Sequence, residues 1–368
     1  MPSFQETHNR IRVEAITGRY LSPPKLRQVL PTILLDREPA ILGHSVEGRE
    51  IIGYKLGAGP IKVLMWSQMH GNESTTTKAV LDMTTFLLAE QEGGMLLEKL
   101  EVMVVPMLNP DGARAYTREN AAGKDLNRDA SECSQPEMQV LQKIYRAFKP
   151  DFCFNLHDQR TIYNVGESNV PATLSFLAPA ADAARSIPPG RLTAMQLIAA
   201  IKHDLDPELP GGIGRYDDTF NANCAGDHFQ KEGTPTLLFE AGHYPGDYPR
   251  EQTRYFAWRA LLLALKHIVS DTYKKYDSKD YGRIPENAKD FADILIFHPE
   301  HLNSHYKGKG VLAVQYREIL RDGQIHWVPE WPETQLTRGL YGHKVFDAAL
   351  EEDRNKLAAD ALLAKLIL

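Results

Sequence analysis

The chain is poor in cysteine. Its 368 residues include only Cys133, Cys153 and Cys224, and no two of them share CxxC spacing. That argues against a disulfide-built scaffold and against a zinc ribbon, and it reads as free thiols in a reducing compartment. Long apolar runs are also missing. None approaches the roughly 18–20 residues needed to span a bilayer. No Lys/Arg-rich run occurs, and the net charge of −6 is mild for this length. Nucleic acid and membrane are therefore not expected as partners. The N-terminal residues Met1 to His8 lack the charged-then-apolar pattern of a secretion signal. Together these absences lead us to expect a cytoplasmic protein. No internal repeat or low-complexity tract is evident.

What is present is an alternation of apolar runs and amphipathic segments. Residues 1–38 read as a helical or irregular lead-in interrupted by Pro23-Pro24. A β-hairpin signal follows from Ile41 to Leu56, turning at Glu47-Gly48. Apolar runs at Ile61–Ser67, Leu100–Met107, Asp151–His157, Ala172–Leu177 and Thr234–Glu240 read as buried strands. Helical spacing appears from Ser74 onward, at Met138–Phe148, at Leu192–Leu205 and at Glu251–Val269. Gly93-Gly94 is expected to break the first of these helices, and Asn109 to Ser134 to form a long polar loop. The alternation predicts an α/β fold with a mixed, largely parallel sheet covered on both faces. Composition shifts near Asp271, and Tyr273–Asp280 reads as a polar linker. We place a catalytic domain at 39–277 and a small α+β module at 278–368, with a hairpin around Asp322-Gly323 and a terminal helix over 353–368. The module shows no chemistry of its own. Its position suggests dimerisation, giving a homo-oligomer, or substrate gating.

Polar residues cluster where the apolar strands end, which is where open α/β sheets place their ligand crevices. His70 and Glu73 follow the first such strand, three residues apart. His157 and Asp158 close another, and Glu240 closes a third. Two histidines and one carboxylate match a catalytic zinc site, which keeps a fourth position open for water. Such chemistry needs a separate carboxylate to move protons, and Glu240 fits. A ligating histidine needs an acceptor on its other ring nitrogen, and Asp125 is the candidate. Arg118 and Arg128 lie in the loop after Met107. One arginine is expected to clamp a substrate carboxylate, aided by the Asn127 amide, and another to stabilise an oxyanion.

In this order, His70-x-x-Glu73, Asn109-Pro110-Asp111-Gly112, Asp125-Leu126-Asn127-Arg128, His157 and Phe239-Glu240 resemble the zinc carboxypeptidase family, the metallocarboxypeptidases of the funnelin type. The likeness covers residues 40–270. It implies an α/β/α sandwich with a mixed eight-stranded sheet and one zinc ion per chain on His70, Glu73 and His157. It implies Glu240 as general base and acid, Arg118 as the oxyanion arginine, and Asn127 and Arg128 as the grip on a C-terminal carboxylate. Asp125 falls on the partner of the first histidine. Two positions depart from the pattern. Asn72 stands where the family often has arginine. Phe220 stands where it has a substrate-capping tyrosine, with Tyr216 one helical turn away. Gly226-Asp227 fall where the pocket for the terminal side chain is lined.

The resulting expectation is a zinc metallocarboxypeptidase acting on a peptide or acylated amino acid with a free carboxylate. The alternatives are an N-acyl amino acid deacylase of the aspartoacylase or succinylglutamate desuccinylase kind, a muropeptide amidase, and a silent binding module. Asn109-Pro110-Asp111-Gly112 favours the peptidase.

Overall fold

The computed structural model describes residues 3–35, 37–332 and 340–368. Its centre is an eight-stranded mixed sheet built from β1 (Ala40–His44), β2 (Glu50–Leu56), β3 (Ile61–Ser67), β4 (Leu100–Val105), β5 (Phe152–Asp158), β6 (Leu174–Leu177), β7 (Ile213–Arg215) and β8 (Thr236–Ala241). Their spatial order is β1-β2-β4-β3-β5-β8-β6-β7. The four pairings β3–β4, β3–β5, β5–β8 and β6–β7 are parallel, and the other three are antiparallel. This is the mixed sheet expected. The short strand β7 has no counterpart in the sequence reading, because three residues carry too little periodicity.

Helices cover both faces: α1 (Phe4–Ile11), α2 (Pro23–Ile33), α3 (Thr75–Ala89), α4 (Gln91–Leu97), α5 (Pro110–Ala115), α6 (Pro136–Phe148), α7 (Pro189–Leu205), α8 (Ala225–Lys231) and α9 (Glu251–Ser270). Strand β3 shows why two layers form. Val63 and Met65 enter one core, with Phe154, Phe239 and Leu261, while Leu64 and Trp66 enter the other, with Met138, Leu141 and Phe229. Side chains of a strand alternate between its faces, so an uninterrupted apolar run requires cover on both sides.

Several local expectations are corrected. The break after α3 falls at Glu90, and Gly93-Gly94 lie inside α4. A β-carbon on Gly93 would sit 2.3 Å from the Phe86 carbonyl oxygen, so this glycine permits helix contact rather than ending a helix. The polar loop after Met107 contains α5 and a 3₁₀ turn at Leu126–Arg128. The segment read as a linker is structured: Tyr273 and Tyr281 are buried in the main core, as is Ile284. A two-residue ladder, Asn287-Ala288 against Asn164-Val165, continues the attachment.

The remainder forms a second sheet of β9 (Phe291–Phe297), β10 (Val311–Arg321), β11 (Gln324–Glu330) and β12 (Tyr341–Asp347), in the order β11-β10-β9-β12. Asp322 and Gly323 both have positive φ, as the two-residue hairpin turn requires. Two helices, Glu351–Ala359 and Ala361–Ile367, replace the single terminal helix. Asp360 has an extended backbone and caps the second of them.

Candidate metal centre

The site lies at the carboxyl ends of β3, β5 and β8, neighbouring parallel strands of the main sheet. After β3 the chain bends at Gln68, whose φ is +49°, and presents His70 and Glu73 before α3 begins. Gly71 allows this bend to touch the start of α5. A β-carbon there would lie 1.9 Å from the Gly112 carbonyl carbon. The segment Asn109-Pro110-Asp111-Gly112 is therefore a helix start and not a free turn. Asn109 Oδ1 accepts from Gly112 N at 2.8 Å, and its Nδ2 donates to the Met69 carbonyl at 3.1 Å.

His70, Glu73 and His157 are all buried, and a potential ligand atom from each lies within 4.8 Å of the others. Glu73 bridges the two imidazoles, with Oε1 2.8 Å from His70 Nδ1 and Oε2 2.9 Å from His157 Nδ1. The two Nδ1 atoms stand 3.2 Å apart. Two ring nitrogens and a carboxylate facing one point form the N₂O donor set of a catalytic zinc site, and the residues fit that ion.

Asp125 organises the edge. Its Oδ1 lies 3.0 Å from His70 Nε2 and accepts from Asn127 N at 2.8 Å. Its Oδ2 accepts from Arg118 Nε and Nη2 at 3.1 and 3.0 Å. Partial burial opposes its ionisation, yet the bonds and charges of His70 and Arg118 hold its carboxyl well below the usual range. Arg118 Nη1 reaches His70 Nδ1 at 3.1 Å and Glu73 Oε1 at 3.4 Å.

Glu240 pairs in register with His157 across β5 and β8. Its Oε2 is shielded from solvent and has no hydrogen-bond partner among the described residues. Desolvation, then the nearby Glu73 and Asp158, push its carboxyl well above the usual value.

His70, Glu73, Arg118, His157 and Glu240 line a cavity of about 770 Å³, together with Asn127, Arg128, Tyr216, Phe220 and Asp227. Asn127 Oδ1 accepts from Ala225 N at 2.9 Å, which fixes its amide at the cavity edge. Arg128 is exposed, bonded to the Asn127 carbonyl at 2.7 Å and Cys224 Sγ at 3.1 Å, and has no carboxylate partner among the described residues. Tyr216 packs on Tyr163 with ring centroids 5.3 Å apart. Burial, then Glu240 and Tyr163, raise its hydroxyl pKa well above normal. The structure thus brings His70, Glu73, Arg118, Asn127, Arg128, His157, Tyr216 and Glu240 to one cavity, with Asp125 behind its wall, bonded to His70 and Arg118, and Asn72 lining a neighbouring cavity instead. Burial lifts the Asp227 carboxyl to about 6.

Three further residues shape the site without a role having been assigned to them from the sequence. Asp158 follows His157 and accepts from Thr75 N and Thr76 N at 2.9 and 3.1 Å, capping α3 from another strand. Its own N–H donates to Glu73 Oε2 at 3.2 Å. Arg19, buried in the lead-in, donates to Asp158 Oδ2 at 2.9 Å and to Glu318 Oε1 at 3.0 Å. Only the position of Asp158 beside His157 hinted at a role. Nothing in the sequence marks Arg19 or Glu318.

Comparison with known proteins bears out the resemblance. Residues 38–147 match the zinc carboxypeptidase family, a span that holds His70, Glu73, Arg118 and Asp125–Arg128. Over 100 residues the chain is 30% identical to Carboxypeptidase 2 of Trichophyton rubrum, covering 26% of this chain and 19% of that one. Over 137 residues it is 31% identical to carboxypeptidase D of Mus musculus, covering 31% and 10%. The chain thus spans a fifth or less of the length of these relatives. In fold it is similar to a metallo-carboxypeptidase from Burkholderia cenocepacia, with a TM-score of 0.55 and 19% identity over 69% of this chain and 70% of that one. It is also similar to carboxypeptidase A from Helicoverpa armigera, with a TM-score of 0.54 and 16% identity over 72% and 80%.

Proposed function

We propose, for a chain whose residues 38–147 match the zinc carboxypeptidase family, that it hydrolyses the amide bond next to a free C-terminal carboxylate as a zinc metallocarboxypeptidase. The observation that carries this reading is one cavity in which a buried His70–Glu73–His157 group lies with a shielded Glu240 oxygen that has no hydrogen-bond partner, and with Arg128, which has no acidic partner, among the described residues.

A zinc ion held by His70, Glu73 and His157 would lower the pKa of a coordinated water to about 7 and polarise the scissile carbonyl. Glu240 takes a proton from the attacking water and returns it to the leaving nitrogen. A carboxyl that burial makes costly to ionise suits that task, because desolvation favours the form that has taken up the water's proton. Arg118 supplies a guanidinium to the oxygen that becomes negative on the tetrahedral carbon. Arg128 and the Asn127 amide bind the terminal carboxylate, and Tyr216, in the wall of the same cavity, covers it. Asp125 holds His70 by Nε2, which keeps Nδ1 turned toward Glu73 and His157.

The test pairs metal analysis with substrate choice. Zinc near one per chain and hydrolysis of dipeptides with a free, but not an amidated, C-terminus are expected. A protein that binds no zinc, or that cleaves both equally, would refute the reading.

A further inference from the structure

Glu73 and Arg118 line two cavities at once. The larger one, described above, leads to Asn127 and Arg128. The second, of about 360 Å³, contains neither of those residues. It is walled by Tyr248 of the main domain and by Tyr316, Glu318 and Trp327 of the second sheet. If the terminal carboxylate sits on Arg128 and the scissile carbonyl by Arg118, the acyl part of the substrate leaves through this second cavity.

Strand β10 explains why the wall stands there. Its first part, Val311 to Val314, pairs with β9. From Gln315 to Arg321 it pairs with β11, so the hairpin projects beyond its parent sheet. Glu318 and Trp327 are cross-strand partners in that projection and share a face. Glu318 is pinned by Arg19 and by the Tyr116 hydroxyl. The ring of Tyr248 lies 5.6 Å from that of Tyr316 and 6.0 Å from that of Trp327, and its hydroxyl donates to Asp293 at 2.9 Å. Moving the wall aside would strip Glu318 from a buried arginine, which is costly.

We propose that the β10–β11 hairpin closes the acyl side of the site, and that the second cavity is a subsite for a short acyl group of one or two residues flanked by aromatic rings. The substrates are then short peptides or N-acyl amino acids, and not the tails of long polypeptides. A cavity of this volume lies at the small end of ligand sites, and a chain continuing past it meets Trp327 and the Arg19–Glu318 pair. This inference rests on the function proposed above.

The test is a length series on the zinc-loaded protein. The substrates share their last two residues and a free carboxylate, and carry zero, one, two, four or eight added N-terminal glycines. We expect kcat/KM to fall by about tenfold or more between the shortest and the longest, a range that pocket discrimination commonly spans. The Trp327→Ala variant should raise the long-to-short ratio by about tenfold. Trp327 is only partly buried, so the fold tolerates the change. A flat length series in an active wild-type enzyme, or a ratio that Trp327→Ala does not move, overturns the hairpin's role and leaves the proposed function standing. No hydrolysis at any length overturns both.

Discussion

His70 and Asp125 form the link that fixes the metal centre from the side: Asp125 Oδ1 lies 3.0 Å from His70 Nε2. A ring nitrogen held by a carboxylate leaves the other as the free lone pair, which is how a ligand histidine is oriented and made more basic. Removing such a partner commonly costs about 10–100-fold in metal affinity. Asp125→Ala should weaken zinc binding by that order in a competition titration. Unchanged affinity would show that Asp125 does not orient the ligand.

Glu240→Gln keeps the size of the side chain and removes its capacity to take a proton. Turnover should drop by on the order of 10²–10⁴, with zinc stoichiometry unchanged by elemental analysis. Undiminished turnover would sink the assignment of Glu240 as base and acid.

Arg128→Ala should act mainly on binding. A hydrogen bond to a charged group contributes about 1.5–3 kcal/mol, so KM should rise by roughly 10–100-fold. Binding of an amidated analogue, measured by calorimetry, should be unchanged by the substitution. An equal fall in kcat with KM constant would instead place Arg128 at the reacting carbonyl.

Asp82 predicts how stability responds to acid. It is fully buried in α3, accepts from Arg254 Nε and Nη2 at 2.6 Å each, and lies 3.0 Å from His8 Nε2. Burial opposes its charge, but Arg254 and His8 outweigh that and lower its pKa. A carboxyl depressed on folding contributes stability above its unfolded pKa of about 4, and the contribution is lost as pH falls through the folded value. Acid unfolding below about pH 4 should therefore be blunted in Asp82→Ala, which should itself cost about 3–5 kcal/mol at neutral pH. Denaturant titrations at pH 7 and pH 3 measure both. A variant with wild-type stability at pH 7 would refute the role.

The legible parts of this protein were those with short-range causes. Apolar runs such as Ile61–Ser67 bury both faces and must lie inside a covered sheet, so strand positions could be read directly. His70 and Glu73 stand three apart on one bend, and Asp125, Asn127 and Arg128 share one 3₁₀ turn, so their common fate follows from local geometry. The Gly93-Gly94 break was misread because glycine serves close contact as well as turns, and only the packing of α4 on Phe86 distinguishes the two. Helix α5 was missed because its six residues hold too little periodicity, and its start is fixed by Asn109 reaching back to Met69.

The sequence by itself marked every strand of the main sheet but β7, the candidate donors His70, Glu73 and His157, and the carboxylate Glu240, because each is tied to a strand whose apolar pattern is local. Tertiary structure alone decided that Asp158 caps α3, that Arg19 joins the lead-in to Glu318 across 299 positions, and that the β10–β11 hairpin walls the second cavity. Those relations depend on where the chain returns in space. A charged pair distant in sequence leaves no periodicity, so nothing short of the folded chain identifies its partner.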